Sequence, residues 1–438
     1  MLHRILLNYL TIRRERNRSR RDLKQFQNKM LRRIVGHAYY NVPYYNAAYK
    51  QRQITPDQIT STEKLPLLPI LTRGLVEANY PDGMLAQGSL TAATIIRRTT
   101  GTTGRALEIV WDSEYCDMMA ASKLLLAQAM GTSLFDRTVE VLYAGPLETE
   151  RTNQNKRSRL RRLLVGPTTT PRLLTFRSKK VAFRKSILEI EEQLRDYHPA
   201  AINSRPAYLR RLGVNLKECG RSLQFDKILA GGEVLSTSVR RDLEAFFDSE
   251  VFDALGSQEL GALGVECREH NGIHLFSDCY AFEFIKDGET ASAGEAADLV
   301  VTSLYNRAMP LIRYKLGDVV VPERDEECAC GLSLPKLREI SGRPDDGLQL
   351  PGGTQVPVGP VVDRIEEMGF RDYQVLQTGE QAVTVKLVEK QIGDEWTRRL
   401  LLYLRSVLGE DVQIKVEQWK EDDIPPKYRP VLRQFSAD

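Results

Sequence analysis

The chain has 438 residues, of which 42% are hydrophobic and 27% are charged, and its formal net charge is +4. This length exceeds what one hydrophobic core usually supports, so two or more domains are expected, and no run of about 18 apolar residues predicts a transmembrane helix. Six cysteines in so long a chain do not form a disulfide framework, which favours a reducing, cytoplasmic setting.

Positive charge is concentrated in two blocks of the sequence. Residues 1–33 contain 11 Lys or Arg and 2 acidic residues, and residues 151–185 contain 12 Lys or Arg and no acidic residue. The blocks carry +9 and +12, so the remaining chain carries −17. Such patches attract anionic membranes, nucleic acids or acidic substrates, although a solvated helix face and an exposed loop explain them more simply.

The first 80 residues are predicted to form a basic helical region that becomes extended around its prolines. A short apolar helix face is formed by Leu2, Ile5, Leu6, Tyr9 and Leu10. Arginines follow this face, which permits peripheral contact with a membrane surface. The segments 42–45 and 65–69 are predicted to be extended, because the residue before a proline avoids helical backbone.

From residue 91 the sequence alternates between short apolar or β-branched runs and helical periods. Strands are predicted over 91–96, 138–143 and 227–229, and helices over 114–130, 185–196 and 238–247. Strands that alternate with helices favour an α/β architecture with a largely parallel sheet.

The sequence changes character after residue 342. Residues 342–346 read Gly-Arg-Pro-Asp-Asp, which is typical of a linker. Beyond them, strands predicted over 382–388 and 412–418 flank a helix over 395–407. We therefore predict an α/β protein with a large N-terminal domain over 1–342 and a small, mobile α+β domain over 343–438 behind a hinge.

One segment between 99 and 105 is rich in glycine and in hydroxyl groups. Its residues are Thr99, Thr100, Gly101, Thr102, Thr103, Gly104 and Arg105. The glycines let the backbone turn tightly and direct N–H groups at an anion, while the hydroxyls and the arginine add donors and charge. No lysine follows the second glycine, so this is not the G-x-x-x-x-G-K-[ST] loop. Composition alone fits a Thr/Gly turn and a phosphate site equally well.

The order Thr-Thr-Gly-Thr-Thr-Gly after a strand resembles the phosphate-loop signature of the acyl-adenylate-forming superfamily. That superfamily comprises acyl-coenzyme A synthetases, adenylation domains and luciferases. Its adenine-side and acidic motifs are matched, in the expected order, by Gly232, Glu233, Gly256, Ser257, Gln258 and Glu259. The resemblance implies that Glu259 binds a Mg²⁺ ion that bridges the ATP phosphates, and that Gln258 contacts the α-phosphate.

Four later residues extend the resemblance to the end of the chain. It implies that Asp318 accepts hydrogen bonds from the ribose hydroxyls, that Arg343 contacts ribose or phosphate, and that Asp345 lies at the hinge. Lys427 stands at the place of the catalytic lysine, which neutralises charge between the carboxylate and the α-phosphate. Departures from the family pattern occur at Ala106, Leu255, Gln258 and Pro426.

The branch that the chain resembles is the phenylacetate–coenzyme A ligase-like group with its capsule-biosynthesis relatives. Asn-Val-Pro-Tyr-Tyr at 41–45, the Gly-Ser-Gln-Glu form of the acidic motif and a Cys/His cluster indicate this branch. We predict a structural Zn²⁺ site, since three thiolates and one imidazole form a good tetrahedral set. Its preferred ligands are Cys267, His274, Cys328 and Cys330, with His270 as the competitor of His274. Free buried cysteines are the simpler alternative.

The resemblance implies that the chain uses ATP to activate a small carboxylic acid to an acyl-adenylate, with release of pyrophosphate. The expected cofactors are ATP, Mg²⁺ and structural Zn²⁺, and coenzyme A, a carrier protein or an amine is the expected acceptor. The alternative is a non-catalytic or repurposed nucleotide-binding protein that acts in a surface-polysaccharide pathway. Nucleic-acid binding is not expected, because the basic block 151–185 has few interleaved aromatic residues. The sequence leaves a homodimer open.

Overall fold

The computed structural model describes residues 2–16, 19–91, 93–98, 107–133, 136–142, 178–182, 187–324, 326–343, 347–350, 352–368, 370, 373–388, 394–420 and 429–435. The predicted phosphate loop 99–105 and most of the basic block 151–185 lie outside these ranges. None of the helices within them is both long enough and apolar enough to cross a membrane.

Several of the helices begin at local hydrogen-bonding or proline signals. In chain order, helices α1 to α10 are Leu2–Arg16, Arg20–Asn41, Pro43–Gln51, Arg73–Asn79, Ser113–Ala129, Ile187–Tyr197, Pro206–Glu218, Thr237–Phe247, Val358–Glu367 and Asp394–Leu408. At the start of α5 the side chain of Asp112 accepts a hydrogen bond from the Tyr115 N–H at 2.8 Å. Pro206 occupies the first turn of α7, where its missing N–H costs nothing.

The strands are short, and many of them are rich in valine, isoleucine and leucine. In chain order, strands β1 to β20 are Ile95–Arg98, Glu108–Trp111, Thr138–Leu142, Ser178–Ala182, Ala201–Ser204, Lys227–Gly231, Glu250–Ser257, Gly261–Glu266, Ile273–Leu275, Tyr280–Lys286, Glu289–Thr290, Ala297–Ser303, Tyr314–Pro322, Lys336–Gly342, Gly347–Gln349, Gln355–Pro357, Tyr373–Gly379, Ala382–Val388, Gln413–Trp419 and Val431–Arg433. This composition suits pleated, half-buried surfaces.

Twelve strands form one large mixed sheet in the order β11-β10-β12-β13-β14-β9-β8-β7-β6-β5-β3-β4. The pairs from β4 to β7 are parallel, whereas every pair from β7 to β11 is antiparallel. The prediction of a largely parallel sheet was therefore wrong. The physical reason is loop length, because a connection as short as 258–260 cannot hold the crossover that parallel neighbours need.

Different helices cover the two halves of this sheet. Helices α6, α7 and α8 pack against one face of the parallel half, where Ile202, Ile228 and Val251 are buried. The helices of the first 80 residues and α5 belong to a second core, which they share with the antiparallel half. The cleft described below opens between the halves, next to α5.

The C-terminal part of the chain has its own sheet and its own core. Its four strands run in the order β19-β18-β17-β20. Val361 and Ile365 of α9 and Leu400 of α10 are fully buried in the core beneath this sheet. Helix α9 also contacts α8 and β14, so this part packs directly on the large sheet.

Two proline-containing segments that were predicted to be extended are helical. Val42 is extended, with φ −116° and ψ 115°, but Pro43 starts α3 and occupies its first turn. The rule on X-Pro steps restricts the residue before the proline and not the proline itself, which suits a helix start. Thr62–Leu67 forms a short 3-10 helix that contains Pro66. The extended prediction was wrong for residues 43–45 and 65–67, whereas Val42 and Leu68 have extended backbone.

Candidate functional site

A cavity of about 880 Å³ lies where the two halves of the large sheet meet the C-terminal part. Eight residues singled out in the sequence line it together, namely Gly232, Glu233, Gly256, Ser257, Gln258, Glu259, Asp318 and Arg343. They come from four separate stretches of the chain. Strand ends and tight turns bring them to one place. Ligand sites in α/β proteins commonly lie at such a place, at the carboxyl edge of the parallel strands.

Local backbone geometry explains how two of these stretches turn into the cavity. Gly232 follows β6 with φ +83°, a conformation that favours glycine. In β7, a Cβ on Gly256 would come within 2.9 Å of the Gly261 carbonyl oxygen, so the close approach of β7 and β8 requires glycine there. Beyond this approach, Gln258 and Glu259 form the turn between the two strands.

Glu259 is held at the turn by both its backbone and its side chain. Its carbonyl oxygen accepts a hydrogen bond from Trp111 Nε1 at 2.9 Å. Its carboxylate, 13% exposed, lies 3.8 Å from Arg73 Nη1. A partly buried carboxylate that lines a cavity suits Mg²⁺, which binds through one or two carboxylates and otherwise through water and phosphate oxygens.

Asp318, on β13, and Arg343, directly after β14, lie on another side of the cavity. Arg343 Nε is 3.4 Å from Asp318 Oδ1, and the two side chains are 46% and 17% exposed. On the side formed by the end of β6, Glu233 lies 3.8 Å from Arg205 and accepts a hydrogen bond from the Ala207 N–H at 3.4 Å. Carboxylates held in this way can accept hydrogen bonds from ligand hydroxyl or amino groups.

Arg97 was not predicted as a site residue, although it lies two positions before the glycine-rich segment. Its Nη2 donates a hydrogen bond to Gln258 Oε1 at 2.9 Å, and its guanidinium lies 4.3 Å from the Trp111 ring centroid. Burial lowers the pKa of Arg97, and the nearby Glu140 carboxylate opposes that effect. Arg97 Nε is buried and makes no hydrogen bond within the described residues, so it can still donate to a ligand.

The cavity continues from Arg97 between helix α5 and the parallel strands. Its α5 wall is formed by Cys116, Met119, Ala120, Lys123, Leu126, Ala127 and Met130. The opposite wall carries Glu140 and Asn203, which are paired across β3 and β5. Burial raises the pKa of Cys116 to about 12, so its thiol stays protonated and is unsuited to be a nucleophile.

A second candidate site is a metal-ligand cluster in the antiparallel half of the sheet. One ligand atom from each of Cys267, His274, Cys328 and Cys330 lies within 4.8 Å of the others. The Sγ atoms of Cys267 and Cys328 are 3.7 Å apart, and Cys330 Sγ is 3.4 Å from His274 Nε2. Zn–S bonds of 2.3 Å in a tetrahedron place two sulfurs roughly 3.8 Å apart, so the four residues fit Zn²⁺.

The geometry selects His274 over His270 for this cluster. His270 directs its ring nitrogens at Glu266 and Glu250, at 3.3 and 3.1 Å. Burial lowers the pKa of His274 to about 4, so its imidazole is neutral at pH 7, the form that binds metals. The sulfur separation of 3.7 Å far exceeds the S–S bond length of about 2.05 Å in a disulfide.

The chain is similar to several known enzymes over most of its length, although no protein-family model matches it. The phenylacetate-coenzyme A ligase of Thermus thermophilus is 24% identical over 407 residues, covering 90% of this chain and 86% of that protein. The Pseudomonas putida enzyme of the same name is 27% identical over 424 residues, covering 90% of each chain. Protein CapK of Staphylococcus aureus is 25% identical over 161 residues, 36% of this chain and 34% of that protein.

Solved structures show the same architecture. A 2-hydroxyisobutyryl-CoA ligase in the postadenylation state matches with a TM-score of 0.77 at 17% identity, covering 96% of this chain and 91% of that chain. The same ligase in the thioesterification state matches with a TM-score of 0.66 at 18% identity, again covering 96% of this chain and 91% of that chain. The resemblance to the acyl-adenylate-forming superfamily is confirmed. The α/β fold class is confirmed with it.

Three predicted parts of the adenylate-forming pattern lie outside the described residues: the loop Thr99–Arg105, Asp345 and Lys427. The described residues beside the loop are Arg98, which ends β1, and Leu107, which precedes β2. Arg429, two positions after Lys427, lines the cavity. The roles predicted for these three parts stay predictions.

Proposed function

We propose that this chain is an ATP-dependent ligase that converts a carboxylic acid to an acyl-adenylate and then transfers the acyl group to coenzyme A. The observation that carries the proposal is the convergence of eight motif residues from four distant stretches on one cavity. The relatives that match most of the chain are named as phenylacetate-coenzyme A ligases, which supports an acid–thiol ligase.

In the first half-reaction, a carboxylate oxygen attacks the α-phosphorus of ATP. The new P–O bond forms as the bond to the α,β-bridging oxygen breaks, and pyrophosphate leaves with that electron pair. Asp318 would hold the ribose, Gln258 the α-phosphate and Glu259 a Mg²⁺ ion, while Lys427 neutralises developing charge. Magnesium, when bound, supplies charge neutralisation on the phosphates.

The acid is proposed to lie in the part of the cavity between α5 and the parallel strands. Arg97 projects from β1 at the entrance of this part and contacts Gln258. From this place its guanidinium can orient the substrate carboxylate towards the α-phosphorus. The α5 wall is mainly apolar, while Glu140, Asn203 and Lys123 add polar groups, so the chamber suits an acid with an apolar body.

We also propose that Zn²⁺ occupies the Cys/His cluster in a structural role. Four protein ligands leave no coordination position for substrate, which is the pattern of structural sites. Cys267 follows β8 and His274 belongs to β9, while the other two cysteines lie between β13 and β14. The ion would therefore fix the strands that carry Glu259 and Asp318 relative to each other.

An ATP–pyrophosphate exchange screen over aryl, fatty and amino acids tests the proposed activity. We expect exchange with at least one acid. The exchange rate should fall by about 100-fold or more in Glu259→Gln and in Lys427→Ala. The exposed control Glu289→Gln should exchange at the wild-type rate. Undiminished exchange in both site variants would show that these roles are misassigned. Nucleotide binding without exchange for any acid would favour a non-catalytic protein. A separate assay of thioester formation with coenzyme A tests the proposed acceptor.

A further inference from the structure

Helix α1 is apolar on two opposite faces. Ile5 and Ile12 are each 1% exposed and belong to the core. On the other side, Leu6, Leu7 and Leu10 are 47%, 49% and 57% exposed. Singly exposed leucines are ordinary on protein surfaces, but three neighbours on successive turns form a continuous apolar patch.

The same outer face carries positive charge and no negative charge. Positions 3, 6, 7, 10, 13 and 14 share one side of a helix, since residues three and four apart are neighbours. On α1 this side presents the three leucines, preceded by His3 and followed by the exposed Arg13 and Arg14. The single acidic residue of α1, Glu15, is 0% exposed, and its carboxylate accepts hydrogen bonds from the exposed Arg14 at 3.0 and 3.2 Å. Arg13 is therefore the arginine of this face that does not pair with Glu15.

Contacts with the rest of the protein hold this face in place. Arg4 Nε lies 2.9 Å from an Asp117 carboxylate oxygen on α5. At the other end, Arg16 Nε donates to Asp278 Oδ2 at 3.1 Å, and its guanidinium lies 4.1 Å from the Phe276 ring centroid. The leucines are therefore presented on an anchored helix, so binding would need little ordering of this segment.

We propose that the outer face of α1, formed by Leu6, Leu7, Leu10, Arg13 and Arg14, docks on the surface of an anionic lipid bilayer. Leucines on such a helix enter the boundary between headgroups and acyl chains, while arginines remain among anionic headgroups. Fifteen residues of α1 are too few to span the bilayer, so the helix lies along its surface. The charge of +9 over residues 1–33 favours approach to that surface.

A second copy of the chain fits this face less well. A standard protein interface buries about 800 Å² on each partner, far more than three half-exposed leucines provide. In a two-fold contact with parallel α1 helices, the arginines of both copies would also lie close together, which is electrostatically unfavourable. Charge therefore opposes self-association through this face but favours anionic lipid.

Vesicle flotation with the full-length protein tests the proposal. We expect co-flotation with vesicles that contain phosphatidylglycerol, weaker co-flotation with pure phosphatidylcholine, and loss of the difference at high salt. Leu6→Glu/Leu10→Glu should weaken binding to the anionic vesicles by at least about tenfold, and Arg13→Gln should weaken it less. The matched control is Leu402→Glu, which replaces a leucine that is 55% exposed on α10 and should bind as the wild type does.

Two results would overturn the proposal: no flotation of the wild type with anionic vesicles, or equal flotation of the wild type and the double variant. Light scattering tests whether a second copy of the chain covers this face instead. If the wild type is a dimer that binds no lipid, and the double variant is a monomer, the face belongs to a second copy. Circular dichroism checks folding, and the milder Leu6→Gln/Leu10→Gln replaces the double variant if that variant is unfolded. Pyrophosphate exchange should be unchanged without lipid, so failure here is separate from failure of the proposed ligase activity.

Discussion

Arg97 and Arg98 are adjacent in the chain but serve opposite faces of β1. Arg97 lines the cavity and bonds to Gln258, whereas Arg98 pairs with Glu108 at 2.6 Å and is exposed. The strand period of two places them on opposite sides. This neighbouring pair therefore offers a matched test. The substituted residue is an arginine in both variants, and only the face of β1 on which its side chain lies differs.

Arg97→Ala is expected to raise the KM for the acid and to lower kcat/KM by about 10- to 100-fold, because the carboxylate loses a charged donor. The KM for ATP should change by no more than about twofold. Steady-state exchange kinetics measure both. Arg98→Ala is the control and should leave them unaltered; equal losses in the two variants would argue that Arg97 does not orient the acid.

Asp253 on β7 is a second residue whose surroundings lead to a prediction. Burial raises its pKa to about 7, the neighbouring Glu266 carboxylate adds to the rise, and Arg240 opposes it. Its backbone N–H also donates to Glu266 Oε2 at 2.9 Å. In the unfolded chain the pKa of Asp253 has its ordinary value of 3.8. The folded state therefore keeps a proton on Asp253 up to a higher pH than the unfolded chain does.

Because the folded pKa of Asp253 is raised, its effect on stability worsens from about pH 4 up to about pH 7 and stays unfavourable above that. Asp253→Asn removes this penalty and should raise the free energy of unfolding at pH 8 by about 1–4 kcal/mol, with a smaller gain at pH 4. Denaturant unfolding at the two pH values measures this. Asp287→Asn, in an exposed turn, should show no such pH dependence.

Several individual residues could be predicted from the sequence because the motifs fix their order. Glu259 and Asp318 follow short, specific patterns, and both line the cavity. The place of Arg97 could not be predicted, since Gln258 lies 161 positions away and only the folded sheet brings the two together. The alternation of a strand shows that Arg97 and Arg98 diverge, but not which of them faces the cavity.

At the scale of elements, the cluster of Cys267, His274, Cys328 and Cys330 joins strands that are distant in the chain. Cys330→Ser should lower the bound zinc from about one ion per chain and reduce the melting temperature by about 5 °C or more. Elemental analysis and thermal unfolding measure the two effects. The control is Cys219→Ser, an exposed cysteine at the end of α7. Wild-type protein without bound zinc, or a Cys330→Ser variant that melts at the wild-type temperature, would count against structural zinc.

The elements themselves were predicted unevenly. Residues 382–388 form the predicted strand, and α5 at Ser113–Ala129 lies within one residue of its predicted span. These segments have a clear period and local end signals. The strands β8 to β14 were not predicted, because many alternate poorly and their pairing with distant partners fixes them. Pro43 was placed in an extended segment although proline at a first helical position favours a helix.

At the scale of the whole molecule, helix α9 ties the C-terminal part to the large sheet. The Ser238 N–H in the first turn of α8 donates to Asp363 Oδ1 at 3.0 Å, where a carboxylate suits the helix dipole. Nearby, Arg210 and Glu366 form an ion pair whose side chains are 6% and 2% exposed. These contacts hold the arrangement in which the C-terminal part packs on the large sheet and lines the cavity with Arg429.

Asp363→Asn should weaken this contact and slow adenylate formation by about 3- to 10-fold, while thioester formation from a supplied acyl-adenylate should change little. Rapid-quench measurement of the two half-reactions separates them. Glu367→Gln on the same helix, with a side chain that is 51% exposed, is the control. A matching loss in both half-reactions would indicate general destabilisation rather than an effect on this arrangement.

The fold class of the whole chain could be predicted because ordered motifs run from 99 to 427. The packing of the C-terminal part on the large sheet could not, since it depends on buried charges such as Arg210 and Glu366 that look like surface residues in the sequence. The division at 342/343 remains a prediction.

The sulfur atoms of Cys267 and Cys328 are in contact although 61 positions separate them in the chain. Bringing the ends of such a loop together costs the unfolded chain entropy that grows with the logarithm of loop length. An ion that these residues bind before the strands pair would keep the two ends of this loop together while the chain refolds. Unlike a disulfide, this link would not require an oxidising compartment. The cluster would then act as a reversible cross-link that sets the speed at which β8, β9 and β14 assemble.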